Sequence, residues 1–445
     1  MFSRRVCLQS VVLFVSLLAA SQASAAAPTD PQAGASQSLQ ILNVPAALDR
    51  AGPLADVPVL VADTGLDLDH PDIASRLFSN PSPVEAPNPD GVPNPGTVPA
   101  GAAGWDLVGT NAPPNLAGDA DPTDPPGGTG HGTTVAGVLG AAWNNGVGGA
   151  GVAPNARFIA LRTCWDNDEC YQYVQAAAIN WAAERGAKVA SFSWLSGPIE
   201  SDLANAIKSN PQMLFVAIPS GNGGAYDADG DDPQPCNLDA PNVLCVSTSA
   251  PDDGLDCGAY GPSSVDVAVP TQAMITTTNG GGFAPTSCAT SYAAPMAAGV
   301  ATILFGMNPG ASGAAVRAAI VAGARPVDAW QGKSVSGGVV DADSAVAAFQ
   351  NGDGTAPTLK AKVKGKKVTI KLSEPATLDV KVKKGKKKKT VATLSKDLPA
   401  GTSKVKLPTK GKKGKLKRGK YTAEMTATDF SGNVSAKKKV KYKVG

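Results

Sequence analysis

Three short segments of this chain carry side chains that could together attack a carbonyl. His131, one of only two histidines in 445 residues, stands between glycines in Gly128-Thr129-Gly130-His131-Gly132-Thr133-Thr134-Val135-Ala136-Gly137. The apolar run Val57-Pro58-Val59-Leu60-Val61-Ala62 ends in Asp63 and the turn Thr64-Gly65. Ser291 opens a small-residue stretch, Cys288-Ala289-Thr290-Ser291-Tyr292-Ala293-Ala294-Pro295-Met296-Ala297-Ala298-Gly299. Acyl transfer by a hydroxyl needs a nucleophile, a base to take its proton, and a group that holds the base in one tautomer. Ser291, His131 and Asp63 offer these, in the chain order Asp, His, Ser. Small residues at 293, 294, 297 and 298 let other backbone come close to a helix that leaves Ser291 Oγ accessible. Amide N–H groups at the start of that helix favour developing negative charge. An imidazole can accept a proton near neutrality and return it to a leaving amine. A carboxylate at the end of an apolar strand needs a partner, and His131 Nδ1–H would be one. The bare residues also allow Ser291 as a helix N-cap, His70 in Asp69-His70-Pro71-Asp72 as the base, and Asp67 as the carboxylate.

The elements that must position these groups follow from hydrophobic periodicity. Strands are expected at Val57–Ala62, Arg157–Leu161, Lys188–Phe192, Leu214–Ile218, Val243–Ser247 and Val265–Val269. Helices are expected at Thr133–Ala142, Glu169–Arg185, Ile199–Ser209, Ser291–Phe305, Gly313–Ala322 and Ala342–Phe349, with a short one at Ala46–Arg50. Alternation of this kind predicts an α/β, three-layer domain: a mainly parallel sheet with helices on both faces. Asp63 then falls at the carboxyl end of a strand, where open parallel sheets build their sites. Long Pro/Gly/Asp-rich loops are expected at Ser79–Gly127 and Gly221–Pro241.

The ends of the chain differ from its middle. Arg4 and Arg5, the apolar run Val11–Ala20 and Ala23-Ser24-Ala25 read as an export signal over residues 1–25. That run is too short for a lasting membrane anchor, and no later run is long enough, so no membrane span is expected in the mature protein. Six cysteines follow the signal: Cys164, Cys170, Cys236, Cys245, Cys257 and Cys288. An even set in an exported chain points to disulfides with fifteen possible connectivities. Sequence-near pairing gives Cys164–Cys170, Cys236–Cys245 and Cys257–Cys288. The overall charge of +3 conceals a division: residues 355–445 hold 28 Lys or Arg against 5 Asp or Glu, and residues 1–354 hold 12 against 32. Two domains with different partners are implied. Period-2 segments after the linker 351–357, such as Val368-Ile370-Leu372 and Tyr421-Ala423-Met425, predict a small all-β sandwich over 358–445.

The Asp63, His131 and Ser291 motifs together resemble the subtilisin-like serine proteases, the subtilases. The resemblance covers about residues 54–350 and implies a secreted serine endopeptidase that needs no cofactor for its chemistry. It implies that Asn222, in Gly221-Asn222-Gly223 after the strand Leu214–Ile218, stabilises the oxyanion. It places Ser193, Trp194, Leu195 and Gly197 along the substrate cleft, with Trp194-Leu195 where the family carries smaller residues. His70 followed by proline is structural in that comparison. Subtilases carry a folding-assistant prodomain, for which residues 26–53 leave no room.

Carboxylates two apart at Asp227, Asp229 and Asp231 suit a hard cation, so structural calcium is expected there, with Asp119, Asp121 and Asp124 as a second cluster. The Lys-rich residues 358–445 suit polyanions, such as anionic cell-wall polymer, acidic polysaccharide or nucleic acid without sequence choice; sparse aromatics there argue against a base-stacking platform, and no sequence-specific nucleic acid is expected. The expected protein acts on protein or peptide substrates as a monomer, extracellular and associated with a bacterial cell envelope. The other reading is an inactive or highly restricted protease-like protein that binds the envelope, suggested by Ala289 and by Trp194-Leu195.

Overall fold

The computed structural model describes residues 27–444, apart from 90, 92–94, 110–115, 117, 126, 166–168, 195–197, 220, 232–234, 352–356, 366, 373–375, 385–388, 399–400, 412–413 and 429–433. A nine-stranded sheet forms the middle of the first domain. Its strands are β1 (Val57–Asp63), β2 (Gly104–Asp106), β3 (Ala156–Arg162), β4 (Val189–Ser191), β5 (Leu214–Ala217), β6 (Val243–Ser249), β7 (Val267–Pro270), β8 (Arg325–Pro326) and β9 (Gly338–Val339). The spatial order is β8-β9-β7-β6-β5-β4-β1-β3-β2. Every neighbouring pair is parallel except β8 with β9.

Successive residues of β1 face opposite sides and enter two separate cores. Val57, Val59 and Val61 pack with helices α3 (His131–Gly140), α6 (Thr290–Met307), α7 (Gly313–Ala322) and α8 (Ala342–Gln350). Leu60 and Ala62 pack on the other face with α4 (Gln172–Glu184) and α5 (Ser201–Ser209). Burial on both faces is why the strands are almost wholly apolar. The expected α/β layering is found, and the six expected strands lie within two residues of their predicted ends. Sequence periodicity did not reveal β2 or the antiparallel hairpin of Ile275–Thr278 and Gly282–Pro285. These elements are three and four residues long, too short to show a period.

The segment before β1 is part of this fold. Helices α1 (Gln37–Ile41) and α2 (Val44–Ala51), with Leu42 between them, bury Leu39, Leu42, Val44 and Ala47 in the same core as α6. Asn43 Nδ2 donates to Asp341 Oδ2 at 2.7 Å, and Arg50 pairs with Asp343 at 2.6 Å.

α6 corrects the expectation that no later run is long and apolar enough to cross a membrane. It spans 18 residues with mean hydropathy 1.2, but 83% of it is buried inside the protein. Its apolar surface is satisfied by the sheet and by α3, as in the core helix of a folded domain.

Beyond residue 358, two antiparallel sheets share one core. Strands 359–364, 367–372 and 401–406 form the first, and strands 376–384, 389–398, 419–428 and 438–444 the second. Val368, Ile370, Val380, Val382, Ala423 and Met425 meet between them. The alternation of exposed Lys with buried Val, Ile and Leu along 367–372 is the period-2 pattern of a strand with one wet face.

Candidate active site

Three adjacent strands and two helix starts converge at one end of the large sheet. Asp63 is the last residue of β1, Ser193 lies two residues past the end of β4, and Asn222 follows β5 in the loop beyond it. α3 begins at His131 and α6 begins one residue before Ser291. The first-turn amides of both helices lack intrahelical acceptors and give this end of the sheet a positive local potential.

The carboxylate and the imidazole are paired. His131 Nδ1 lies 2.8 Å from Asp63 Oδ1, with Asp63 buried at 4% exposure and the imidazole side chain 26% exposed. The Thr64 amide also donates to Asp63 Oδ1 at 2.8 Å, which fixes the carboxylate against its own backbone. A carboxylate on Nδ1 directs the base lone pair to Nε2.

The flanking glycines are explained by what surrounds them. Gly130 caps α3 with φ +66°, in the left-handed region that favours glycine. A Cβ on Gly132 would stand 2.1 Å from the Gly65 carbonyl oxygen and 3.2 Å from Asp63 Cβ. Removing that carbon is what lets α3 come down on the end of β1.

A small network that motif reading missed locks the two elements together. Asp124 Oδ2 accepts from Thr64 Oγ1 at 3.3 Å and from Thr133 Oγ1 at 3.2 Å. Thr64 Oγ1 in turn accepts from the Gly132 amide at 3.0 Å. Burial pushes the Asp124 carboxyl up to about 6. The only sequence signal was the hydroxyl following each of Asp63 and Gly132, which on its own is unremarkable. The 275–285 hairpin supports α3 from outside, with Thr276 and Thr277 hydroxyls donating to the Thr134 and Thr133 carbonyls.

Asn222 and Ser291 meet through Thr290. Asn222 Oδ1 accepts from the Thr290 amide at 2.8 Å and from its hydroxyl at 3.1 Å. Those bonds fix which end of the carboxamide is oxygen, and they leave the NH2 end turned away from Thr290. Ser291 is half-buried, and its Oγ donates to the Ser193 carbonyl at 3.2 Å. Disulfides pair Cys164 with Cys170, Cys236 with Cys245 and Cys257 with Cys288, the sequence-near set. The last one ends just before α6, while the Cys257 carbonyl accepts from the Gly224 amide at 2.8 Å. One cystine therefore ties the Asn222 loop to the turn that carries Ser291.

The other sequence candidates separate from this group. His70 is 1% exposed, with Nδ1 accepting from the Asp72 amide, Nε2 at 3.0 Å from the Gly282 carbonyl, and an edge-on contact to Phe283. Asp67 Oδ2 accepts from the Gly280 and Gly281 amides and holds the hairpin turn. Trp194 packs on Phe192 at 5.4 Å, and Leu195 and Gly197 lie outside the described residues.

Among the described residues, the carboxylate oxygens of the two acidic clusters do not gather as a ligand set. Asp229 accepts from the amides and hydroxyls of both Ser263 and Ser264, and Asp227 Oδ1 accepts from the Asp229 amide. Asp231 lies in the same short helical turn, Ala228–Asp231. In the second cluster, Asp119 and Asp121 cap their own turn while Asp124 faces inward to Thr64 and Thr133.

The subtilase family model matches residues 55–356. Thermitase of Thermoactinomyces vulgaris is 31% identical over 305 residues, covering 66% of this chain and 90% of thermitase. A thermophilic serine proteinase of Bacillus sp. (strain AK1) is 29% identical over 248 residues, 55% of this chain and 51% of that one. A solved protease structure from Pseudoalteromonas arctica PAMC 21717 is 26% identical, covers 73% of this chain and 100% of its own, and gives a TM-score of 0.59.

Proposed function

The chain belongs to the subtilase family of serine peptidases, and on that premise we propose that it cleaves protein or peptide substrates through Ser291, His131 and Asp63. The observation that carries this reading is the 2.8 Å Asp63–His131 pair at the same sheet end as the half-buried Ser291. Ser291 Oγ attacks the scissile carbonyl as His131 Nε2 takes its proton. Asp63 holds the imidazole and stabilises its charged form. The oxyanion receives the Asn222 NH2 group and the Ser291 amide, a first-turn donor without an intrahelical acceptor. Collapse of the tetrahedral intermediate passes the proton from His131 to the leaving amine and leaves an acyl group on Ser291. Water, deprotonated by His131, then releases the acid and restores the serine.

The test is labelling with a serine-reactive phosphonate. The wild type should be labelled at Ser291, and Ser291→Ala and His131→Ala should both lose labelling. A folded, disulfide-bonded wild type that stays unlabelled would return the chain to the inactive, envelope-binding reading.

Export through residues 1–25, and retention at an anionic envelope through residues 358–445, complete the proposal. The first sheet of the second domain supports the latter. Its strands 359–364, 367–372 and 401–406 contain no acidic residue. Lys360 lies opposite Lys371, and Lys367 opposite Lys406, all four exposed. Like charges directly across strands destabilise a sheet, and a polyanion laid on this face relieves that repulsion. Binding of the whole protein to an anionic glycan should weaken steeply with salt and be lost on Lys360→Glu/Lys371→Glu/Lys406→Glu. Equal retention of the variant would remove this part of the proposal.

A further inference from the structure

Pro295 lies in the second turn of α6 and has no N–H. The Ser291 carbonyl, four residues earlier, therefore has no helix donor, and the proline ring crowds it outward. Ser193 meets that gap. It is 5% exposed, its Oγ donates to the Ser291 carbonyl at 2.9 Å, and Ser291 Oγ donates to the Ser193 carbonyl at 3.2 Å. Two serines 98 positions apart hold each other, each hydroxyl on the other's carbonyl.

We propose that Ser193 is a positioning residue for the nucleophile, its hydroxyl standing in for the helix donor that Pro295 removes. The proposal rests on Ser291 being the nucleophile. It gives Ser193 a role through Ser291, distinct from lining the cleft. The bond fixes the first turn of α6, and with it the directions of the Ser291 amide and Cβ–Oγ bond. A buried carbonyl left without a donor would pull this turn toward another partner. The reciprocal bond sets the resting state. A serine hydroxyl has one proton to donate, so a hydroxyl resting on the Ser193 carbonyl must turn away from it before His131 can take that proton.

A double-mutant cycle tests this, read by kcat, KM and the rate of phosphonate labelling, with thermal unfolding reporting that each variant is folded. Ser193→Ala should lower kcat and labelling roughly tenfold, the scale of one buried hydrogen bond, with KM within about twofold of wild type. Ser193→Thr, which keeps the hydroxyl, should recover most of the loss. Pro295→Ala restores an N–H to the Ser291 carbonyl, so in that background Ser193→Ala should cost no more than about twofold. An equal loss in both backgrounds overturns the proposal, as does an unchanged kcat in Ser193→Ala. A rise in KM alone also overturns it and makes Ser193 a cleft residue. Failure of the nucleophile reading is seen separately, as labelling and turnover that survive Ser291→Ala.

Discussion

Gly132 is the residue through which His131 reaches Asp63. The 2.8 Å Nδ1–Oδ1 pair exists because α3 packs on the end of β1, and a Cβ at 132 would sit 2.1 Å from the Gly65 carbonyl oxygen. That oxygen belongs to backbone, so relief requires α3 to move. Gly132→Ala should therefore lower kcat by at least about 10²-fold through loss of alignment. It should also lower the unfolding temperature, since small-to-large changes in packed sites cost about 1–3 kcal/mol. Near-wild-type turnover would show that the helix can shift without disturbing the pair.

Asp63→Asn tests the same pair from the other side. The amide keeps the shape but can present its NH2 to Nδ1, which favours the wrong imidazole tautomer. A loss of about 10⁴ in kcat with native stability is expected, by analogy with the same change in other serine proteases. Turnover within about tenfold of wild type would show that Asp63 does not orient His131.

Asn222 is held by Thr290, so its role can be divided. Asn222→Ala removes both the Thr290 acceptor and the NH2 donor; Asn222→Asp keeps the acceptor and replaces the donor with negative charge. Both should lose about 10²–10³ in kcat with little change in KM, the range already measured for this type of donor in subtilisin. If Asn222→Asp alone stayed active, the residue would be a support for Thr290 and not an oxyanion donor.

The Cys257–Cys288 cystine closes a separation of 31 residues. On the chain-entropy model, a loop of that size contributes about 3–4 kcal/mol. A Cys257→Ser/Cys288→Ser protein should unfold at lower temperature, and its kcat should fall because both Asn222 and Ser291 lose a tether. Unfolding measured on the Ser291→Ala background avoids self-digestion. A stability loss with unchanged kcat would show that the tether serves the fold alone.

Asp124 predicts a pH dependence of stability. Its folded value of about 6 lies above the ordinary 3.8. Between roughly pH 4 and 6 the native protein holds a proton that the unfolded chain has lost. Stability from this group therefore falls as pH rises through that window and levels above it. The effect is at most on the order of 3 kcal/mol. Asp124→Asn should flatten the unfolding temperature between pH 4 and 7, and identical slopes for the two proteins would refute the assignment.

Much of this was legible in the chain. The apolar run Val57–Ala62 into Asp63 pointed to a strand end because a strand buried on both faces is apolar at successive positions. Gly130-His131-Gly132 announced close approach, although the sequence did not say which backbone approached. The family resemblance placed Ser193 along the substrate cleft, and geometry shows it bonded to Ser291. Pro295 was visible but carried no meaning until the carbonyl it exposes was located. The spacing of Asp227, Asp229 and Asp231 shows carboxylates but not the Ser263 and Ser264 donors that hold Asp229.

The sequence by itself determined the period of each long element, and therefore the layers, the strand ends and the residue types available for chemistry. Those are local properties, set by side-chain alternation and by turn residues. Tertiary structure decided the pairings across long separations: Asp63 with His131, Asn222 with Thr290, Ser193 with Ser291, Cys257 with Cys288. A hydrogen bond depends on tenths of an ångström and on orientation. Such distances arise only when β5, β4 and β1 lie side by side and two helix starts are brought down on their ends, which no periodicity along the chain encodes.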